Sequence, residues 1–106
     1  MQEMSPQQVH EYLQTNTDKP LLLDVREPWE HEICRIEGAE LIPMQSIPAH
    51  LDKLDPQQET IVICHHGIRS RMVGQFLELA KFNKIINLSG GVNAWAQDVD
   101  LDMPSY

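Results

Sequence analysis

Cys64-His65-His66-Gly67-Ile68-Arg69 directly follows the β-branched run Thr60-Ile61-Val62-Ile63 and leads into an amphipathic segment. That order reads as strand, tight loop, helix, with a thiol at the mouth of a ring of backbone amides. An ordinary cysteine thiol titrates near about 8.5, and it becomes a good nucleophile when a helix N-terminus or a nearby cation favours the thiolate. Both influences are encoded here. The helix expected from near Ser70 directs its unbonded N–H groups and positive end back toward the loop, and Arg69 adds a full charge. Gly67 can adopt backbone angles closed to other residues, so successive amides can turn inward as an anion nest. Such a cup suits a thiolate or a negatively charged cysteine adduct, which makes Cys64 the candidate nucleophile.

The elements around the loop must hold it at one edge of a core. Ser5-Pro6-Gln7-Gln8 carries a capping residue, a proline at the first helical position and Gln at the third, predicting a helix to about Gln14. Leu21 to Val25 is a short continuous apolar run, as in a strand covered on both faces. Pro28 opens a short helix to about Ile33. Glu40 to Ile42 is a brief strand stopped by Pro43, and Ile47 to Leu54 has a helical pattern ended by Asp55-Pro56.

After the Thr60–Cys64 strand, Met72, Val73, Phe76, Leu77 and Ala80 recur at helical spacing and predict a core-facing helix over 70–81. Lys84 to Leu88 follows as a strand, and Ser89-Gly90-Gly91 turns sharply into a short helix near Val92 to Ala96. Strands alternating with helices imply an α/β fold with a mainly parallel sheet wrapped on both faces. In such sheets ligands bind outside the carboxyl ends of the strands, where Cys64 falls.

The 106 residues suffice for one domain over 1–106 and one core. No apolar run reaches the roughly 18 residues of a membrane span, and Met1-Gln2-Glu3-Met4 lacks a basic region followed by an apolar one. A soluble, cytoplasmic protein with no membrane partner is expected. Two cysteines, Cys34 and Cys64, would make a thin disulfide framework, so free thiols in a reducing compartment are expected. The net charge of -8 argues against a nucleic-acid partner, which requires clustered Lys and Arg. Arg69 and Arg71 nevertheless give this acidic body a local anion-attracting spot at the loop.

Taken together, these residues resemble a single-domain rhodanese, a sulfurtransferase that carries sulfur as a cysteine persulfide. Four more segments support the resemblance: Leu23-Asp24-Val25-Arg26-Glu27, Ile36-Glu37-Gly38-Ala39, Leu41-Ile42-Pro43 and Leu88-Ser89-Gly90-Gly91-Val92-Asn93-Ala94-Trp95. Asp24 to Pro28, Glu32-Ile33-Cys34 and the tail Met103-Pro104-Ser105-Tyr106 are most similar to the C-terminal rhodanese domain of MoeB/ThiF-like adenylyltransferases. The resemblance implies a three-layer sandwich with a central, mainly parallel sheet of about five strands. It also implies that Cys64 takes sulfur from a small anionic donor such as thiosulfate and passes it to a thiol or sulfur-carrier protein. The amides of His65, His66, Gly67, Ile68 and Arg69 would hold the persulfide, Arg69 would grip the donor's oxyanion, and Arg71 is a weaker candidate for the same task. No cofactor beyond the covalent persulfide is implied.

Cell-cycle dual-specificity phosphatases and related arsenate reductases share the fold but place five residues between Cys and Arg. Here four intervene, a shorter loop that fits a sulfane sulfur better than a tetrahedral phosphoryl group. A further alternative is a low-turnover docking module for a sulfur-carrier or adenylyltransferase system.

Other features have plainer readings. Cys34 is taken as structural, with a resolving thiol as the alternative. Adjacent Cys64, His65 and His66 cannot all converge on one metal, so no metal is expected. The two histidines could touch the donor, tune the thiolate or simply be exposed loop polarity. Asp24, Arg26 and Glu27 are taken as scaffold rather than catalyst, the Gly90-Gly91 turn lacks the rest of a phosphate-binding pattern, and Trp95 is taken as core.

Overall fold

In the computed structural model, which describes residues 1–106, five strands and five helices alternate along the chain. They are β1 (Gln2–Met4), α1 (Pro6–Thr15), β2 (Leu21–Asp24), α2 (Pro28–Ile33), β3 (Glu40–Leu41), α3 (Ile47–His50), β4 (Thr60–Ile63), α4 (Ile68–Leu79), β5 (Ile85–Leu88) and α5 (Gly91–Asp98). The strand order is β1-β5-β4-β2-β3, and every neighbouring pair is parallel. This is the α/β sheet with crossover helices that the alternating pattern implies.

Side-chain alternation along the central strands divides the core in two. Leu22, Ile61, Ile63, Ile86 and Leu88 face Val9 of α1 and Val92 and Trp95 of α5. Leu23, Val62, Cys64 and Ile85 face Ile47 of α3 and Val73 and Leu77 of α4. Strands buried on both faces explain the uninterrupted apolar runs. The parity also matters for chemistry: with Ile61 and Ile63 turned toward α5, Cys64 is turned toward α4.

Most expected boundaries agree within a residue or two, and the departures have local causes. The three-residue β1 was not anticipated, because Gln-Glu-Met carries no β-branched pattern; it exists through pairing, with Glu3 opposite Asn87 and Ser89 N donating to the Met4 carbonyl at 2.8 Å. The segment expected to be helical from Ile47 to Leu54 is not one helix. Short 3₁₀ turns at Met44–Ser46 and Leu51–Lys53 flank the four-residue α3, with Pro48 allowed in its first turn.

Helix α4 begins at Ile68 rather than Ser70, since Gly67, at φ 99°, is already its N-cap. It ends at Leu79 because Lys81 turns left-handed (φ 75°). There Phe82 N bonds to Leu77 O and Lys81 N to Glu78 O, both at 3.0 Å, while Phe82 and Leu77 share the core, so a Schellman stop closes the helix without a glycine.

Candidate active site

Three loops meet at the carboxyl edge of the sheet: β4 to α4, β5 to α5, and β2 to α2. The first carries Cys64, which is 1% exposed at the floor of the loop. Gly67 N donates to Cys64 Sγ at 3.0 Å, and Ser70 Oγ lies 3.3 Å from the same sulfur. The amides of His65, His66, Ile68, Arg69 and Ser70 have no acceptor within the protein. A ring of free donors thus opens above the sulfur, at the positive end of a 12-residue helix. This arrangement can stabilise negative charge on Cys64 or on an atom attached to it.

The second loop braces the first from behind. Val92 N donates to the Cys64 carbonyl at 2.9 Å and Asn93 N to the His65 carbonyl at 3.0 Å, so the first turn of α5 bonds the backbone of the cysteine loop. Gly91 makes this approach possible: a Cβ there would sit 2.3 Å from Cys64 O and 2.4 Å from His65 O, and its φ is 60°. The Gly90-Gly91 turn is therefore a bracket for the nucleophile's backbone. Gly91→Ala is expected to cost roughly 2 kcal/mol or more of stability through strain and to depress turnover by displacing the cup. Urea denaturation and a rate assay check the two effects separately.

Arg69 departs from the expectation that it grips a donor oxyanion. Its guanidinium turns to α2, where Nη1 and Nη2 donate to Glu30 Oε1 and Oε2 at 2.7 and 2.8 Å. The fork-to-carboxylate match satisfies both partners and leaves the arginine's charge neutralised beside the cup. Arg71, on the exposed flank of α4, donates through Nε to Glu3 Oε2 at 3.0 Å. Neither arginine points into the amide ring; Arg69 ties the loop to α2 and Arg71 ties α4 to β1.

The third loop contains a buried ion network. Arg26, fully buried, donates to both Asp24 oxygens, to the Cys34 carbonyl at 2.6 Å and to Tyr106 Oη at 2.9 Å. His31 Nδ1 also meets Asp24 at 2.8 Å. Burial works against the Arg26 charge, but the bonds to Asp24 and Tyr106 outweigh it and hold the guanidinium firmly protonated. Asp24 and Arg26 are accordingly scaffold, and Glu27 heads α2, its amide donating to Glu30 Oε1 at 3.0 Å. Cys34 is buried beside Arg26 with its carbonyl in this network, and both thiols are free. Trp95 lies in the core, as expected.

Sequence reasoning missed four residues around the cup besides Glu3: Glu30, Ser70, Asn87 and Tyr106. The available signal for Asn87 was a polar residue inside an apolar strand, which must find partners; Glu30, one more acid on a short helix, had none. Tyr106 stood out only as the last residue of the tail that carries the family resemblance, with no role attached. Its ring stacks on His65 at 3.9 Å and 10°, meets Trp29 edge-on, and its hydroxyl donates to Glu30 Oε2 at 2.8 Å. Burial, against the Arg26 bond and with the Glu30 bond, pushes the Tyr106 hydroxyl up to about 12. His65 is pushed below its usual range by burial and by His66. Tyr106→Phe keeps the stack but removes both hydroxyl bonds, and a loss of about 1–2 kcal/mol is expected by chemical denaturation.

The Arg69 bonds, against burial, hold the Glu30 carboxyl down at about 2. A carboxyl lowered by folding stabilises the native state fully above its unfolded value of about 4.3 and loses that contribution as pH falls through its folded value. Stability is expected to drop between about pH 4.5 and about pH 2. Glu30→Gln should remove that part of the dependence, as read from urea midpoints across the range.

Comparison with known proteins agrees with this geometry. The Rhodanese-like domain model matches residues 5–98. The chain is 36% identical over 93 residues to Rhodanese-like/PpiC domain-containing protein 12, chloroplastic, of Arabidopsis thaliana, covering 84% of this chain and 31% of that protein. It is 33% identical over 105 residues to the probable adenylyltransferase/sulfurtransferase MoeZ of Mycobacterium tuberculosis, covering 97% and 26%. It thus spans between a quarter and a third of the length of these relatives. A crystal structure of a rhodanese-like domain protein from Staphylococcus aureus superposes with a TM-score of 0.83 at 28% identity, covering 90% and 91% of the two chains. The chain belongs to the rhodanese-like domain family.

Proposed function

We propose that this protein is a rhodanese-type sulfurtransferase in which Cys64 carries the sulfur. The observation that supports it best is the buried Cys64 Sγ beneath a ring of unpartnered loop amides, with Gly67 N already donating to the sulfur at 3.0 Å. In the loading step the Cys64 thiolate attacks the outer sulfur of thiosulfate. A Cys64–sulfur bond forms, the donor's sulfur–sulfur bond breaks, and sulfite leaves with that electron pair. The product, Cys64-S-S⁻, places its charge among the amides of His65, His66, Gly67, Ile68 and Arg69. A thiophilic acceptor then attacks the outer sulfur and restores the thiolate: cyanide in an assay, a thiol or sulfur-carrier protein in the cell.

The sulfur travels on the protein itself, so no bound cofactor is invoked. Free thiols at Cys34 and Cys64 suit a reducing compartment such as the cytoplasm. No helix is long and apolar enough to cross a membrane.

A second reading, a docking module with slow chemistry on small donors, has one observation in its favour. Arg69 is neutralised by Glu30, while Ile68 (64% exposed), Met72 and Phe76 present apolar surface on the helix that starts at the cup. The deciding experiment is thiocyanate formation from thiosulfate and cyanide. Sustained turnover supports the first reading; negligible turnover beside rapid sulfur uptake from a protein persulfide supports the second. Hydrolysis of a phosphate ester or reduction of arsenate would overturn both.

A further inference from the structure

Helix α4 buries Val73 and Leu77 against the sheet but carries a second apolar row on its outer side. Ile68, Met72, Phe76 and Leu79 recur at helical spacing within about 80° of arc, and Ile68, Met72 and Leu79 are 64, 56 and 83% exposed. The row starts at the cup, where Ile68 follows Gly67, and runs roughly 16 Å along the helix. Beside it, Met72 and Phe76 face Met44, Ile47 and Pro48 across a groove of about 210 Å³ between α4 and α3. The inner row already supplies the contact of α4 with the core, so the outer row is surface to be covered from outside.

Charge singles out the same face. Residues 44–53 and 64–81, which build α3, the cysteine loop and α4, hold four of the eight Lys and Arg (Lys53, Arg69, Arg71 and Lys81) but two of the sixteen Asp and Glu (Asp52 and Glu78). The rest of the chain therefore carries fourteen acids against four bases. On the face itself Arg69 is matched by Glu30, Arg71 by Glu3 and Glu78 by the Met1 amino group, while Lys53 and Lys81 have no carboxylate at ion-pair distance. An acidic partner is thus repelled from most of the surface and accepted here, whereas a basic one is drawn to the acidic remainder, away from the cup. Screening over about 8 Å keeps the distant acids from cancelling that local preference.

The four outer side chains expose on the order of 400 Å² of apolar surface, about half of the roughly 800 Å² that each partner gives a stable interface. That is too little for a lasting dimer and enough for a partner that docks, reacts and leaves. Cys64 lies at the floor of its loop, so such a partner must reach it with a slender end. We propose that the α3–α4 face docks the protein that takes sulfur from Cys64, and that this partner is acidic, lays an apolar segment along the outer row of α4 and enters the cup with a thiol-bearing end. The proposal rests on the sulfurtransferase reading above. In the transfer the partner's thiolate attacks the outer sulfur of Cys64-S-S⁻; a new sulfur–sulfur bond forms on the partner, the Cys64–sulfur bond breaks, and its electron pair leaves on Cys64 as the thiolate.

The test uses the full chain loaded with thiosulfate and three synthetic peptides of equal length, each ending in a cysteine after a short glycine spacer. One is rich in Asp and Leu, one in Lys and Leu, and one in Asp and Ser. Mass spectrometry of the peptide persulfide should show the Asp/Leu peptide accepting sulfur about tenfold faster than either of the others. Combining Met72→Gln with Leu79→Gln, both on exposed helix positions, should bring its rate down to that of the Asp/Ser peptide. Lys53→Glu should narrow its lead over the Lys/Leu peptide, as should added salt. Cyanide, which needs no docking surface, should be consumed at the same rate by every variant. Equal rates for the three peptides, or a lead that survives the double substitution, would overturn the proposal, as would a dimer that Leu79→Gln dissociates. Binding of the same peptides with their thiols blocked, read by fluorescence anisotropy, separates the two claims. Selective binding without any sulfur transfer, to cyanide included, would contradict the sulfurtransferase reading and keep the surface, whereas transfer to cyanide without selective binding would do the reverse.

Discussion

Arg26→Ala is expected to cost about 3–5 kcal/mol of folding stability, because it strands the buried Asp24 carboxylate without its cation. Arg26 is fully buried and donates to both Asp24 oxygens, with its remaining donors going to the Cys34 carbonyl and Tyr106. His31, at 2.8 Å from Asp24, offers only partial compensation. Domains of this size have about 5–15 kcal/mol in total, so the urea midpoint should fall steeply while the slope stays unchanged. Arg26→Lys should recover little, since an ammonium cannot reproduce a planar fork that meets the carboxylate, a carbonyl and a phenol together. A loss below about 1 kcal/mol would show that the network is not what holds the third loop in place.

Cys64→Ala is expected to lower thiocyanate formation by on the order of 10³-fold or more, because no other group near the cup can accept the sulfur covalently. Ser70 is the nearest nucleophilic side chain, and its proton is committed to Asn87. The fold should survive: removing one sulfur atom from the core beside Val73 and Leu77 costs on the order of 1 kcal/mol. Residual turnover within tenfold of the unmodified protein would remove Cys64 from the chemistry.

The fold was legible because its elements are written in local signals: the Ser5-Pro6 start of α1, Pro28 at the head of α2, and the apolar runs of β2, β4 and β5. β1 escaped because three residues of edge strand owe their shape to Ile86, Asn87 and Leu88 rather than to themselves. The nucleophile and its amide ring could be read from a strand, a glycine and a helix start, all close in sequence. The charges could not. Glu30 reaches Arg69 across 39 positions, and Glu3 reaches Asn87 across 84, so both pairs exist only once the parallel sheet brings the loops together. The same distance hid Tyr106, which meets Glu30 across 76 positions. Arg69 illustrates the consequence: a cation beside the cysteine in sequence is neutralised by a carboxylate the sequence gives no reason to place there.

The most direct test of the account is the intact mass of the protein after incubation with thiosulfate and removal of excess donor. A gain of one sulfur atom is expected, located on the Cys64 peptide and reversed by cyanide. Absence of the adduct on the unmodified protein, or the same adduct on Cys64→Ala, would contradict it.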